Sequence, residues 1–375
     1  MLNKIRSLKK RIKQILKILI LTIGIIAILI AGTLIYLQNT ITPPEVSTVR
    51  RPQQIAARSP DLNHPTEDTH APESEPEVEF LPLGETRDQL TFLILGTDDE
   101  GGGQSDVIII ARFDPIEYTL NLVSIPRDTL INSTWTVARK ANAIMPRMKH
   151  MHRDEGMDAV MEAVVDQFAD LLGFEVDFYI TLDMDAFVRI VDAAGGVEFD
   201  VPRNMFYPME NINVRRGFQS LSGQQALGVV RFRQYAQGDI GRINVQQDLM
   251  KAAIPQIMER IGLATFPALV DIFFNYVETD LSISDILWLA QTFYRFDIES
   301  INFMMMPGNI YDHIAGLSYV TIFVDEWLEM VNTYLNPFSE EIMPTDVSII
   351  TRGPGRRLFV TDDHFAANPN WGQPG

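Results

Sequence analysis

The chain contains no cysteine among its 375 residues. It therefore has no disulfide bond, no thiolate metal site and no cysteine nucleophile. A Walker-type phosphate loop is also missing, because no Gly-Lys-Ser/Thr follows the glycines at 101–103. No Gly-x-Ser-x-Gly sequence occurs, so a serine hydrolase has no local support.

Basic residues are scarce outside the N-terminus. The chain has 31 Lys and Arg against 49 Asp and Glu, a formal net charge of −18. Seven of the basic residues lie in positions 1–17, so the rest carries 24 basic against 49 acidic residues, or about −25. Such an acidic body lacks the basic face of a nucleic-acid-binding protein, and we predict no nucleic-acid partner. An anionic ligand would need a local cluster of arginines.

One long apolar run stands near the N-terminus. Residues 18–37 are uncharged and are long enough to cross a bilayer. A cleaved signal peptide is the alternative, but the run exceeds an ordinary signal core and no A-x-A-like site follows it. The basic residues 1–17 precede the run and should stay cytoplasmic. We predict a single-pass protein of the cell membrane, with a transmembrane helix, a cytoplasmic N-terminus and an extracellular body.

Composition divides the body into three segments. Residues 38–87 are rich in Pro and Glu and are typical of an extended extracellular tether. Residues 88–338 alternate strand-like runs with amphipathic helical patterns, which predicts an α/β fold, an αβα sandwich with a mixed central sheet. Residues 339–375 form a polar C-terminal tail without an assigned role. The predicted strands are 90–97, 106–113, 118–129, 177–182, 197–201, 229–233 and 301–306, and the predicted helices are 156–172, 186–194, 242–261, 266–277, 284–294 and 321–335.

Two arginines lie close together at Arg231 and Arg233. If residues 229–233 form a strand, the two side chains point to the same face, because strand side chains repeat every two residues. Asp239 suits the N-cap of the helix that follows, and on that helix Arg242 and Gln246 are four residues apart. This arrangement can hold a polyanion. The alternative is a solvated network of salt bridges.

Two carboxylates flank a glycine-rich loop. Asp98 follows one predicted strand and Asp106 begins the next, so a hairpin closed by the loop would bring them together. Mg²⁺ prefers one or two carboxylates together with phosphate oxygens. A third strand delivers Arg127 at its end, where open α/β sheets usually bind ligands.

These segments resemble the LytR–CpsA–Psr family of cell-wall glycopolymer transferases. The resemblance covers roughly residues 90–261 and continues weakly to about 335. Three positions depart from the family pattern: Glu100 replaces an arginine, Val107 a threonine and Val245 a basic residue. These changes weaken any inference about how the outer phosphate or the acceptor is held. The motifs that carry the resemblance are Gly96-Thr97-Asp98, Ser105-Asp106, Ser124-Ile125-Pro126-Arg127-Asp128, Lys140-Ala141-Asn142-Ala143, Arg231-Phe232-Arg233 and Gly238-Asp239-Ile240-Gly241-Arg242.

The resemblance implies a membrane-anchored, Mg²⁺-dependent phosphotransferase. Its donor would be a glycan linked to polyprenyl pyrophosphate, and its acceptor a hydroxyl of peptidoglycan. A polyprenyl-pyrophosphate sensor and a hydrolase acting on the same ligand are the alternatives. The implied catalytic residues are Arg127, Arg231, Arg233, Asp239 and Arg242, the implied substrate-binding residues are Lys140, Asn142 and Gln246, and the implied metal ligands are Asp98 and Asp106.

Two roles remain open at this level. Asp239 could be the general base for the acceptor hydroxyl, or it could orient an arginine; the second is favoured because a carboxylate among arginines is a weak base. The helices at 156–172 and 186–194 could line a channel for the lipid, but ordinary core packing explains their apolar faces equally well.

Four converging guanidiniums would repel one another, which favours a multiply charged anion as their ligand.

Overall fold

The computed structural model describes residues 43, 44, 46, 88–98, 103–133, 139–236, 239–260, 271–273, 275–293, 296–353 and 357–361. The predicted transmembrane segment, 18–37, and nearly all of the tether lie outside these ranges. Within the described ranges no helix is both long and apolar enough to cross a membrane.

The strands are mostly short, and the two longest form one hairpin near the N-terminal end of the described chain. They are β1 (Leu90–Asp98), β2 (Gln104–Asp114), β3 (Thr119–Ser124), β4 (Phe178–Asp183), β5 (Val197–Val201), β6 (Met205–Tyr207), β7 (Ile212–Val214), β8 (Gly217–Leu221), β9 (Val277–Thr279), β10 (Ile301–Met305), β11 (Gly308–Ile314), β12 (Leu317–Ile322), β13 (Ile350–Arg352) and β14 (Leu358–Val360).

The α-helices alternate with these strands. They are α1 (Ile144–Met151), α2 (Met157–Leu172), α3 (Met184–Ala193), α4 (Gly223–Arg231), α5 (Asp239–Arg260), α6 (Ile283–Phe293) and α7 (Val324–Met330). Helix α6 belongs, with the described residues 43 and 44, to a compact unit separate from the rest. At its start the Asp285 carboxylate accepts hydrogen bonds from the Ser282 amide (2.8 Å) and hydroxyl (2.6 Å).

Six strands form the central sheet in the order β10-β3-β2-β1-β4-β9. The pairs β1–β2, β2–β3 and β4–β9 are antiparallel, whereas β1–β4 and β3–β10 are parallel. The central strands are almost continuously apolar, as expected for strands that are covered on both faces. The predicted α/β fold with a mixed central sheet is confirmed.

The main hydrophobic core lies on one face of this sheet. Leu93, Ile108 and Val123 project from three neighbouring strands and pack with Phe168 of α2 and Trp327 of α7. The apolar side chains of α2 belong to this core, so core packing accounts for the face that the sequence left open to a lipid channel.

Helix α5 covers the opposite face of the sheet. Val123 points into the main core, so the next residue, Ser124, points away from it. Gln247 of α5 reaches this far side and donates hydrogen bonds to the Ser124 hydroxyl (3.3 Å) and the Met304 carbonyl (3.0 Å). Helices on both faces give the layers of an αβα sandwich.

A second core lies under a long β excursion, residues 197–221, which we call the β-arm. Strand β5 pairs with β8, and β6 pairs with β7 farther along the same arm. The inner side chains of the arm pack on α4 and α5. On the arm these side chains are Val197, Phe199, Val201, Met205, Ile212, Val214 and Leu221. The side chains that they contact are Ala226 and Val229 of α4 and Val245, Leu249 and Ala253 of α5.

The prediction of a strand at 229–233 is wrong, because these residues include the last turn of α4. The two adjacent β-branched residues at 229 and 230 favoured a strand. Ser222 and Gln225 instead form a capping box that starts a helix, and packing against the β-arm maintains it. Local propensity is weaker than this tertiary packing.

Two further predicted helices need correction. Of the helix predicted at 266–277, residues 266–270 and 274 lie outside the described ranges, residues 271–273 and 275–276 are helical as predicted, and residue 277 begins β9 instead. The helix predicted at 321–335 begins late, because β12 extends to Ile322. Helix α7 then runs from Val324 and is continued by a π-helical turn, Val331–Leu335.

Part of the segment set apart as a polar tail is folded onto the rest. Ile342, Val347 and Ile349 are buried in the main core. The pair β13–β14 follows them, and the Thr351 hydroxyl of β13 donates to the Ile322 carbonyl of β12 at 2.6 Å. The packing therefore continues to residue 361, the last described position.

Candidate active site

The two predicted metal-binding carboxylates lie at the end of the β1–β2 hairpin. The amide of Gly103, at φ +75°, donates to the carbonyl of Asp98 at 2.9 Å and closes the hairpin. Residue Gly96 pairs with Val107 but Thr97 pairs with Ser105, so Asp106 is the extra residue of a β-bulge. Bulges turn a side chain away from its regular direction, and here the side chain is that of Asp106.

Arg127 reaches this hairpin from the turn after β3. Its Nη1 donates to Asp106 Oδ1 at 2.7 Å. The turn is fixed by Thr129, whose amide and hydroxyl both donate to the Pro126 carbonyl. The amide of Asn142 donates to the carbonyl of Arg127 at 2.9 Å, so Asn142 supports the turn through its backbone.

Lys140 lies on the other side of the same turn. Its Nζ donates to Asp128 Oδ1 at 2.9 Å and lies 5.4 Å from the centre of the Tyr319 ring. Asp128 Oδ2 is also 3.8 Å from Arg127 Nε, so one carboxylate holds both cations. Burial raises the pKa of Tyr319, and its ring therefore meets Lys140 as a neutral group.

The arginine pair reaches the hairpin although the predicted strand is a helix. Arg231, the last residue of α4, places Nη2 3.7 Å from Asp98 Oδ2 and Nε 3.3 Å from Glu210 Oε2. Arg233, in the extended segment beyond, places Nη2 3.4 Å from Asp106 Oδ2 and is half exposed. The structure therefore brings Asp98, Asp106 and both arginines together.

Helix α5 supplies another wall of the site. Arg242 is buried, and Gln246 lies one turn after it on the same side. Gln246 Nε2 donates to the Val230 carbonyl at 2.9 Å, which ties α5 to the last turn of α4 beside Arg231. Asp239, predicted as the N-cap, is instead the first residue of α5, and its side chain lies outside the description. The pocket between these elements is lined by Asp106, Val107, Ile108, Ser124, Ile125, Pro126, Arg127, Arg242, Ile243, Gln246 and Met250.

Carboxylates already neutralise most of the cations at this site. Arg127 and Arg233 share Asp106, Arg231 lies between Asp98 and Glu210, and Lys140 pairs with Asp128. The sequence argument that unpaired guanidiniums would repel one another therefore does not describe this site. A polyanion that binds here must displace these carboxylates or arrive together with a cation.

The hairpin carboxylates fit the requirements of a magnesium ion. Asp98 and Asp106 are partly buried at the same end of one hairpin and offer hard oxygen atoms. Within the described residues, no cluster of three or more His, Asp or Glu side chains forms a protein cage for a metal. Mg²⁺ needs no such cage, because it commonly takes one or two carboxylates, water and substrate phosphates.

Two departures from the family pattern have a place in the structure. Val107 lines the pocket, where it offers a methyl surface instead of a hydroxyl. Val245 is buried in the core beneath the β-arm and points away from the charged cluster. Glu100 lies outside the described residues.

Sequence reasoning missed Glu210 and did not include Asp128 among the site residues. Glu210 ends a 3-10 turn, Pro208–Glu210, between β6 and β7, and it reaches Arg231 across 21 positions of sequence. No motif surrounds it. Asp128 is adjacent to Arg127, and its position beside that arginine was the available signal.

Comparison with known proteins identifies the family. Residues 54–335 match the LytR_cpsA_psr family. The chain belongs to this family. The match begins in the segment predicted as a tether and extends to the end of the π-helical turn after α7.

Several curated relatives of this chain are transferases by name. The polyisoprenyl-teichoic acid–peptidoglycan teichoic acid transferase TagV of Bacillus subtilis (strain 168) is 26% identical over 229 residues, which cover 58% of this chain and 56% of TagV. The corresponding TagU of Bacillus cereus (strain AH820) is 27% identical over 306 residues, covering 81% of this chain and 91% of TagU. The chain thus spans little more than half of TagV but nearly all of TagU.

Solved structures share the fold. The crystal structure of B. subtilis TagV superposes with a TM-score of 0.53 at 25% identity, over 66% of this chain and 96% of that chain. A structure of TagT bound to LIIa-WTA gives a TM-score of 0.53 at 22% identity, over 68% and 92% of the two chains. At this identity the second likeness concerns the fold alone.

Proposed function

We propose that this protein transfers a glycan phosphate from a polyprenyl-pyrophosphate carrier to a hydroxyl of peptidoglycan. The observation that carries the proposal is the convergence of Arg127, Arg231 and Arg233 on the carboxylates of one hairpin, beside an open pocket. The names of TagV and TagU, which pair a polyisoprenyl-linked teichoic acid with peptidoglycan, support the substrate classes. The predicted apolar segment at 18–37 would anchor the enzyme in the membrane that holds the donor.

The reaction is a displacement at one phosphorus atom. The acceptor oxygen forms a bond to the phosphorus that bears the glycan, and the bridging P–O bond of the pyrophosphate breaks. Polyprenyl phosphate leaves with the electron pair, and the acceptor proton passes to a base or to solvent. Such a step needs positioning and charge neutralisation more than covalent help from the protein.

The arginines suit the charge that develops in this step. A guanidinium offers parallel N–H donors that match two phosphate oxygens at once. Arg127, Arg231 and Arg233 would exchange their present carboxylate partners for these oxygens, while the buried Arg242 would close the pocket from α5. Lys140, held by Asp128, and Asn142, which supports the Arg127 turn, would bound the site on its far side.

A magnesium ion would be held by Asp98 and Asp106, and it would neutralise phosphate oxygens on the donor. The displaced carboxylates would thereby gain a new cationic partner as the arginines turn to phosphate. For Asp239, at the start of α5, the proposed role is to orient Arg242 or Arg231; the alternative is that it removes the acceptor proton.

The test uses the full chain in detergent or liposomes with a lipid-linked glycan donor, with and without peptidoglycan. A transferase releases polyprenyl phosphate only with peptidoglycan and leaves glycan covalently attached to it. Release without peptidoglycan would instead identify a hydrolase. Binding without any release would identify a sensor.

Conservative arginine variants sharpen the test. Arg127→Lys and Arg231→Lys keep the charge but lose paired donors, so we expect each to fold normally and to transfer roughly a hundredfold more slowly. The matched control is Arg153→Lys, because Arg153 is exposed and pairs only with its neighbour Asp154 among the described residues. Wild-type rates in both site variants would contradict the proposal.

A further inference from the structure

The β-arm has an outward face that differs from the rest of the acidic surface. Its inner side chains are buried on α4 and α5, so alternation along the strands turns their neighbours to solvent. Phe206 and Phe218 on this outward face are 63% and 73% exposed, and Met209 at the tip is 86% exposed. Large apolar side chains grouped in this way mark a contact surface.

The outward face also carries two arginines midway along the arm, between its two strand pairs. Arg215 and Arg216 join β7 to β8, and both are exposed. Among the described residues neither guanidinium has a hydrogen bond or an ion pair, while the Arg216 amide is fixed by Asn204 Oδ1 at 2.8 Å. The acids of the outer face, Glu198 and Asp200, lie on β5, where Asp200 pairs with Phe218 across the strands.

The one acid between positions 202 and 217 is turned away from this face. Glu210 places Oε2 3.3 Å from Arg231 Nε in the candidate active site. The contact neutralises Glu210, so this acid does not offset the positive charge of Arg215 and Arg216. It also places the tip of the arm directly beside the site.

We propose that the β-arm docks on the surface of a bilayer that contains anionic lipid. Phe206, Met209 and Phe218 would enter the interfacial region, where aromatic and other large apolar side chains are stabilised. Arg215 and Arg216 would contact the headgroup phosphates. Charge complementarity favours this partner, because Arg215 and Arg216 are exposed and have no ion pair among the described residues.

Two features of the sequence make weak docking effective. The predicted anchor at 18–37 and the tether at 38–87 would keep the domain at a high effective concentration near the membrane. Docking would hold the active site at the surface where a lipid-linked donor resides. This consequence rests on the proposed function, whereas the contact between arm and lipid does not.

The absence of cysteine allows a direct test. Met209→Cys introduces the single thiol of the full chain, which is labelled with a fluorophore and reconstituted in phosphatidylglycerol or phosphatidylcholine vesicles. Nitroxide-bearing lipids of the same headgroup report contact with the bilayer. The matched control is Met343→Cys, since Met343 is also an exposed methionine and lies outside the arm.

We expect lipid-borne nitroxide to quench the label at 209 in phosphatidylglycerol, with much less quenching in phosphatidylcholine and at 343. Adding Arg215→Glu and Arg216→Glu should reduce the docked population roughly tenfold or more. The same charge change placed elsewhere, Arg153→Glu with Arg357→Glu, should leave it unchanged.

Three outcomes would overturn the docking proposal. The first is equal quenching at 209 and 343, and the second is quenching that ignores the arm arginines. The third is energy transfer between labelled copies that rises with protein density in both lipids, which would assign the face to a second copy of this chain. None of these readouts depends on glycan transfer, so the proposed function would still stand.

Discussion

Arginine and aspartate meet in two regions of this molecule, and they meet in different ways. In the ribbons near the C-terminus, Arg352 donates to Asp312 twice, from Nε at 2.5 Å and Nη2 at 2.7 Å. Thr321 adds a hydrogen bond to the same carboxylate at 3.0 Å, and Asp312 is only 6% exposed. At the candidate active site, Arg231 and Arg233 approach Asp98 and Asp106 at 3.7 and 3.4 Å, although Arg127 donates to the same Asp106 at 2.7 Å.

The difference separates a pair that maintains the fold from pairs that can exchange partners. A buried carboxylate that accepts two hydrogen bonds from one arginine and one from a hydroxyl is held in place by these partners. Losing one partner leaves a buried charge without compensation, which is costly. Long single contacts between partly exposed groups contribute little to stability. Arg231 and Arg233 are therefore in place without a strong preference for their present partners, which suits a ligand that must displace these carboxylates.

The strongest way to break this comparison is to remove the arginine of the fixed pair. Arg352→Leu leaves Asp312 buried without its two donors, and we expect it to cost about 2–4 kcal/mol of unfolding free energy. Urea unfolding of the full chain, followed by tryptophan fluorescence, measures this. Arg153→Leu, which removes an exposed arginine, should cost almost nothing. A cost for Arg352→Leu no larger than for that control would show that the two regions do not differ.

The sequence predicted the acidic hairpin and Arg127 because these depend on local features. An apolar strand, a glycine-rich loop and a second strand bring Asp98 and Asp106 to one edge whatever the rest of the chain does. The strand predicted at 118–129 ends earlier, at Ser124, so Arg127 lies in the turn that follows the strand and still reaches this edge of the sheet. Arg231 and Arg233 were correctly predicted as site residues although the strand predicted for them is wrong. The motif indicated which residues belong to the site, and the packing of α4 determines where they lie.

What the sequence did not predict depends on contacts between distant residues. Glu210 and the pair Asp312–Arg352 lie on strands and turns of three to seven residues, which are too short for a clear alternating pattern. Forty positions separate Asp312 from Arg352, and nothing in the local composition of the C-terminal segment indicates the pairing. For this reason the segment was predicted as a polar tail. Its polar side chains form hydrogen bonds with distant parts of the chain, and the local sequence does not show these partners.

A site carboxylate should show the opposite behaviour to Arg352. Asp106→Asn keeps the size of the side chain but removes the charge that would hold Mg²⁺ and orient Arg127 and Arg233. We expect transfer to fall roughly ten- to a hundredfold and to need more Mg²⁺ for half-maximal rate. The unfolding free energy should change by less than about 1 kcal/mol.

Magnesium titrations of transfer, with EDTA as the metal-free arm, measure the first expectation, and urea unfolding measures the second. Asp154→Asn is the control, since Asp154 is exposed and far from any proposed ligand in sequence. A wild-type rate that is equal in EDTA and in Mg²⁺ would exclude the metal from the proposal. A large loss of stability in Asp106→Asn would place this carboxylate with the fixed pair.

The smallest effect is the pH dependence of the fixed pair itself. Burial alone would raise the pKa of Asp312, but hydrogen bonds from Arg352 and Thr321 and the charge of Arg352 outweigh it, so its pKa lies below the ordinary 3.8. A folded-state pKa below the unfolded one means that the unfolded chain binds the proton first as the pH falls. Asp312 therefore contributes stability above about pH 4, and this contribution is lost as the pH falls through its folded pKa. In Asp312→Asn the group no longer titrates, so unfolding free energy measured between about pH 5 and 3 should fall less steeply than in the wild type.

Asp154→Asn should keep the wild-type slope. Equal slopes in Asp312→Asn and the wild type would mean that the carboxylate is no better held in the folded chain than in the unfolded one, and the contrast with the exchangeable site pairs would lose its electrostatic basis.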